Sequence, residues 1–451
     1  MRKWIKTIGY VFVIPSTILL AMSTSVRADT GNTTPPTLLA QSAVLMDMTT
    51  GQIIYEKNPY EKLYPASITK IMTALLALKY GHLNDPIKAS VNAVNQEPDK
   101  VYLVPGEVHS LQQMLYGLLI DSANDAAVAI AEHYGGSVKG FANMMNQEAK
   151  QLGAINTHFV NPNGLQNANH YTCAYDMALI ARQAMQNPEF RKIVSTKFYL
   201  WKGKEWTSNL SNLNEMLWSY PGANGVKTGW TDQAEQTMVV TATRNGHTLL
   251  AVLMKVPLLG EMQTDATNLL NYGFSSFQES TILPTGTKVA SLSLGGHHAT
   301  LSLESPLTAL MPVHQTKKTS TSIAIPNTFT NVPVTQGLES IRDNRMPIPL
   351  VSPSPIVHSL IIAPIAYGVQ KGAVIGSATI DFEHMKMTLP LQIDETIPVP
   401  VTPPNRLPEL PALSLTLVCL GFSLIGRAGI KRTNKKKSRS SVMVYPRAMD
   451  K

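Results

Sequence analysis

The 451 residues, 44% of them hydrophobic, are enough for two domains with real cores. The net charge of +8 is not a nucleic-acid footprint. Arg427–Lys451 carries a net +8 and the first 28 residues four more basic groups, which leaves 25 basic against 29 acidic residues between them. There are two cysteines, Cys173 and Cys419, and Cys419 lies in an apolar C-terminal run, so a disulfide between them is not expected.

In chain order, Arg2, Lys3 and Lys6 precede an apolar stretch from Ile8 to Leu20 and small residues ending in Val26-Arg27-Ala28. This is the pattern of a secretory signal, residues 1–28, and its apolar run is short for a membrane span. "SAVLMDMTTGQIIYEKN" reads as a hairpin, Ala43–Asp47 and Gln52–Tyr55 around a turn at Thr49-Thr50-Gly51. "YPASITKIMTALLALKY", residues 64–80, reads as a helix with Pro65 in its first turn and Gly81 at its end. Residues 111–134 carry two more helical patterns around "DSAND". "NGVKTGWTD" leads into two apolar runs, Thr237–Thr243 and Thr248–Val256, and the Asn245-Gly246 between them is a strong hairpin signal. Strands, then helices, then strands predict an α+β domain over 37–277, an antiparallel sheet flanked by helices and not a βαβ array.

From about Phe277 the pattern changes to short β-like runs cut by Gly, Pro and Asn, which predicts a small all-β domain over 278–395. His297-His298 has no carboxylate or cysteine at ligand spacing and is not read as a metal site. A proline-rich, semi-rigid linker follows over 396–409. Residues 410–426, "LPALSLTLVCLGFSLIG", are 17 residues without a charge, and a cluster of Lys and Arg begins at Arg427. That order predicts a membrane anchor with a basic cytoplasmic tail over 427–451, an interfacial helix being the alternative.

Ser67 and Lys70 stand three positions apart and so share a helical face. A serine hydroxyl is a weak nucleophile until a base takes its proton, and a lysine desolvated in an apolar helix can have its pKa lowered enough to serve. The plain alternative is a lysine that snorkels to the surface beside a small residue. Two later stretches favour chemistry. Ser122-Ala123-Asn124 lies 55 positions after Ser67, and Lys227-Thr228-Gly229 lies 105 positions after Ser122. Ser-x-x-Lys, Ser-x-Asn and Lys-Thr-Gly in this order form the signature set of serine penicillin-recognising enzymes.

Beyond these motifs, Ala43 to Phe277 resembles the low-molecular-mass penicillin-binding proteins that act as serine D-alanyl-D-alanine carboxypeptidases. The likeness includes "PASITKIMTALLAL", "LLIDSANDAAVAIAEH", "GVKTGWTDQA" and "LLNYGFSSF", and "LIIAPIAYGVQKGAVIGSATI" is similar to that family's C-terminal domain. The resemblance implies a β-lactamase/transpeptidase-like catalytic fold. It implies that Ser67 attacks the penultimate D-alanine carbonyl of a peptidoglycan stem peptide ending in D-Ala-D-Ala, and that Lys70 takes the proton. Ser122, with Lys227, would pass a proton to the departing D-alanine. Asn124 would hold the substrate amide. Lys227 and Thr228 would bind the terminal carboxylate, with Gly229 beside them, and the N–H groups of Ser67 and Trp230 would form the oxyanion hole. β-Lactams would acylate the same serine, and no cofactor or metal would be needed.

The chain departs from the family pattern at Asn224-Gly225, at Trp230 and at Glu235, where the family commonly has glycine. Glu235 raises two expectations, a demanding backbone path and a carboxylate near Lys227 that would oppose carboxylate binding. Asn161-Pro162-Asn163-Gly164 reads as turn chemistry, and His170 is not required as a base. A class A β-lactamase would carry the same motifs, but no Glu-x-x-Leu-Asn lies between Ser122 and Lys227. A D,D-endopeptidase and a non-catalytic peptidoglycan-binding relic complete the alternatives.

Overall fold

The computed structural model describes residues 34–294, 297–313, 332–333, 339–342, 352–362, 369–383 and 385–397. The signal segment, the anchor, the tail and the linker from residue 398 onward lie outside these residues.

Strands β1 (Ser42–Asp47) and β2 (Ile53–Lys57) form the expected first hairpin. Helix α1 (Lys70–Tyr80) begins later than the sequence suggests. Ala66–Thr69 is a separate 3-10 turn because Ala66 has φ +49°, a left-handed value that no α-helix continues through. Pro65 therefore precedes the turn instead of opening the helix. Helices α2 (Leu111–Ile120) and α3 (Asn124–Gly135) flank the DSAND segment. A capping box at Ser110 and Gln113 starts α2.

Strands β3 (Ala223–Thr231), β4 (Glu235–Arg244) and β5 (His247–Val256) follow, and the sheet order is β2-β1-β5-β4-β3 with antiparallel pairing throughout. The β4–β5 turn takes φ +50° at Asn245 and +83° at Gly246, the two positive values that a primed hairpin turn requires. Helix α4 (Leu259–Ser276) closes this region.

The sheet is a middle layer between two cores. Val44 and Met46 of β1, with Leu250, Val252 and Met254 of β5, point into a core shared with α1, α2 and α3. Their alternate neighbours Ala43, Leu45, Leu249, Ala251 and Leu253 point into a second core shared with α4. Both faces are covered, so the middles of the central strands, residues 43–46 and 249–254, are continuous apolar runs instead of alternating with polar residues. Each fully buried Leu or Val contributes about 1.5–3 kcal/mol, relative to exposure.

Beyond α4, Phe277–Leu283 pairs with Leu307–Pro312. Lys288–Leu294, His297–Leu303, Met385–Ile393, Val374–Glu383 and Ser352–Ile362 pair in antiparallel succession. These strands enclose a third core that includes Leu283, Leu301, Leu307, Ile380 and Leu391. The Gln52 side chain fastens this region to the first hairpin: its amide donates to the Leu310 carbonyl at 2.9 Å and its oxygen accepts from the Leu310 N–H at 2.8 Å. Among the described residues, no helix is long and apolar enough to cross a membrane.

Candidate active site

Ser67 sits in the 3-10 turn, and Lys70 is the first residue of α1. The Lys70 Nζ donates to Ser67 Oγ at 2.8 Å and to the Asn163 carbonyl at 2.7 Å. Lys70 is wholly buried, so it does not snorkel to the surface. Burial pushes its pKa well below the ordinary lysine value, and the nearby charge of Lys227 pushes the same way, while Asp99 and Asp125 oppose them. A lowered pKa makes the amine lone pair more available to accept the serine proton.

The turn that aims Ser67 is held from two sides. Gly164 has φ +90°, and a Cβ there would lie 1.9 Å from the Ala66 carbonyl oxygen. A Cβ on Gly229 would lie 2.5 Å from the Ser67 nitrogen. Only glycine allows the 161–164 loop and strand β3 to close on the turn in this way. Thr237 of β4 donates its hydroxyl to the Pro65 carbonyl (2.9 Å) and the Gly229 carbonyl (3.2 Å), joining turn and strand. The Thr73 hydroxyl donates to the Pro162 carbonyl at 2.6 Å. His170 Nδ1 accepts the Val160 N–H, which leaves the proton on Nε2, 2.8 Å from Thr69 Oγ1. Burial, followed by the neighbouring His158 and Lys70, pushes the His170 pKa down to about 3. His170 is thus a neutral clamp between loop and helix.

Ser122 lies in the turn between α2 and α3 at φ +64° and faces the same cleft as Ser67. Asn124 opens α3. Its amide donates to the carbonyls of Glu97 (2.9 Å) and Pro98 (3.1 Å), and its Oδ1 is buried without a partner. Lys227 of β3 is 1% exposed and donates to the Thr228 carbonyl at 2.9 Å. Burial lowers its pKa to about 8, against the opposing pull of Asp99 and Asp121. Thr228 and Gly229 line the cleft, and Trp230 stands at its rim, 59% exposed. The cleft holds about 550 Å³.

The structure therefore brings Ser67, Ser122, Thr228, Gly229 and Trp230 onto one cleft, with Lys70 and Lys227 buried behind it. Sequence reasoning missed Asp99, which lines the cleft and acts on both lysines, and the Asn163 carbonyl that grips Lys70. Asp99 carried no motif, and a carbonyl leaves no trace in residue type. Asp121, beside Ser122, is pushed up to about 6 by burial and by Asp99, with Lys227 opposing. Glu235 has φ +54°, so the backbone half of its expectation holds. The acids that act on Lys227 are Asp99 and Asp121.

The family peptidase S11, D-alanyl-D-alanine carboxypeptidase, matches residues 29–257, a span that includes every motif residue from Ser67 to Trp230. The chain is 36% identical over 261 residues to the D-alanyl-D-alanine carboxypeptidase DacF of Bacillus subtilis, covering 56% of this chain and 67% of that protein. Among solved structures, penicillin binding protein 5 from Haemophilus influenzae aligns with a TM-score of 0.59 at 27% identity, over 81% of this chain and 99% of that one. The Streptomyces K15 DD-transpeptidase aligns with a TM-score of 0.52 at 35% identity, over 54% and 99%.

Proposed function

This chain belongs to the peptidase S11, D-alanyl-D-alanine carboxypeptidase family, and on that premise we propose that it is a serine D,D-carboxypeptidase that removes the terminal D-alanine from peptidoglycan stem pentapeptides. The observation that carries the mechanism is the 2.8 Å contact between Ser67 Oγ and a wholly buried Lys70. Lys70, as neutral amine, takes the hydroxyl proton as Ser67 Oγ attacks the penultimate D-alanine carbonyl. The oxyanion is met by the N–H groups of Ser67 and Trp230. Lys227, charged below about pH 8, binds the terminal carboxylate together with Thr228. The peptide C–N bond breaks, D-alanine leaves with a proton delivered through Ser122 and Lys227, and water hydrolyses the Ser67 ester. Asn124 orients the substrate amide. β-Lactams acylate Ser67 by the same attack.

The family is one of carboxypeptidases, so the β-lactamase, endopeptidase and relic readings are not favoured. The signal-like residues 1–28 support export, and the charge-free run 410–426 with its basic flank supports attachment to the extracytoplasmic face of the membrane. The strands after Phe277, with their own core, support a small all-β domain over 278–395.

The test is incubation with a peptide ending in D-Ala-D-Ala and assay of released D-alanine. Release should fall by about 10³-fold or more in Ser67→Ala, as expected when a covalent nucleophile is removed. Equal release by the variant would overturn the assignment of Ser67.

A further inference from the structure

A second pocket, of about 270 Å³, shares no lining residue with the cleft. Five polar side chains line it, those of Lys62, Tyr64, Tyr171, Gln233 and Lys255, and no carboxylate does. Lys62 lies over the Tyr171 ring, 4.8 Å from its centroid. Among the described residues, neither ammonium has a hydrogen-bond or ion-pair partner, and neither phenol hydroxyl nor the Gln233 amide has one. The acid beside Lys62 in sequence, Glu61, accepts instead from the Gln41 amide at 2.5 Å. Asp232 and Glu235, on the turn that carries Gln233, are not among the lining residues.

The backbone is bent to bring Lys255 here. In regular alternation Lys255 would share the face of Ala251 and Leu253, which is the core with α4. The β4–β5 pairing slips instead: Met238 faces Leu253 and Gln236 faces Val256, so Met254 and Lys255 stand against Thr237 alone. Such a bulge re-aims a side chain. Val256 takes the core face, and Lys255, at φ +56°, joins the pocket. A left-handed lysine inside a strand costs about 1–3 kcal/mol and is retained where the site uses it. The wall opposite is fixed too, because Leu63 and Thr172 exchange backbone hydrogen bonds at 2.8 and 2.9 Å.

A concavity lined by charge of one sign gathers counter-ions. Two ammonium groups, two phenol hydroxyls and an amide offer more donors than the two oxygens of a carboxylate can use. A phosphoryl group, with three terminal oxygens and close to two negative charges, matches both the charge and the donors. We propose that this pocket is a binding site for a phosphoryl group, free or esterified, separate from the catalytic cleft.

The experiment is equilibrium dialysis of the full chain at fixed ionic strength against inorganic phosphate, glycerol phosphate and acetate, before and after acylation with benzylpenicillin. One phosphate or glycerol phosphate should bind per chain, equally in the acylated protein, and the tighter of the two identifies the free or the esterified source. Lys62→Gln and Lys255→Gln should each weaken binding about tenfold or more, as for loss of a hydrogen bond to a charged group. Lys139→Gln, an exposed lysine elsewhere, should leave it unchanged. Equal affinity in Lys255→Gln, displacement of phosphate by penicillin, or acetate binding as tightly as phosphate overturns the site. Failure of penicillin to acylate the chain would count against the carboxypeptidase reading alone, since the variants are compared without it as well.

Discussion

Lys70 and Lys227 stand behind opposite walls of one cleft, one on a helix and one on a strand, and both are buried. Their hydrogen-bond acceptors are alike in being uncharged. Lys70 has the Ser67 hydroxyl and the Asn163 carbonyl, and Lys227 has the Thr228 carbonyl. The charges around them differ. Lys70 feels Lys227 as its largest charged neighbour, a like charge that deepens the effect of burial. For Lys227 the charged neighbours are the acids Asp99 and Asp121, which limit the effect of burial and hold its pKa at about 8. Burial alone would make two similar amines. At Lys70 the like charge of Lys227 reinforces burial ahead of the opposing Asp99 and Asp125, whereas at Lys227 the neighbouring charges are acids alone, which keep it a cation at neutral pH.

The sharpest way to break this comparison is Lys70→Met, which keeps the length and apolar stem but removes the base. Acylation of Ser67 by penicillin, followed by intact mass, should slow about 10²–10⁴-fold, the span for loss of a positioned general base. A loss under tenfold would mean that another group takes the proton.

A smaller effect reads the strand lysine. On the proposed reading Lys227 binds carboxylate only while protonated, so kcat/KM for the peptide should decline as pH rises through about 8. Lys227→Arg should move that decline to higher pH, because a guanidinium keeps its proton. A limb that stays near 8 in the variant would belong to some other group.

The smallest effect concerns Glu235. Relief of its left-handed backbone by Glu235→Gly is offset by the extra freedom of glycine in the unfolded chain, and the net gain should be about 0–1 kcal/mol. Calorimetric melting would show a shift of a few degrees at most, with D-alanine release unaltered. A marked change in KM would place the Glu235 carboxylate in the cleft after all.

Where a structural fact depends on neighbours in sequence, it was legible. Asn245-Gly246 announced its turn, and the three motifs announced a shared site. What stayed hidden depends on contacts across the fold. The start of α1 is displaced by Ala66, whose φ of +49° accompanies the close approach of Gly164 and Gly229 to its turn, residues 98 and 163 positions away. The Asn163 carbonyl and the Asp99 carboxylate have roles set by position alone, and Asp99 looks like any loop acid. Glu235 was legible as a backbone problem because glycine preference reports φ; its electrostatic half was not, since distance to Lys227 has no signature in sequence.

Strand β3 is the last of its sheet among the described residues, bonded to β4 on one side only. Such an edge ordinarily invites another chain to add to it. Here the Ser67 turn blocks part of that edge, with Gly229 pressed to the Ser67 nitrogen, and the remainder opens on the cleft. A stem peptide laid along β3 would complete the sheet for the length of a few residues and be recognised through its main chain. Recognition of that kind is indifferent to how small two alanine side chains are. It also leaves the enzyme unable to refuse a penicillin, whose amide offers the same backbone pattern with a strained carbonyl in the position of attack.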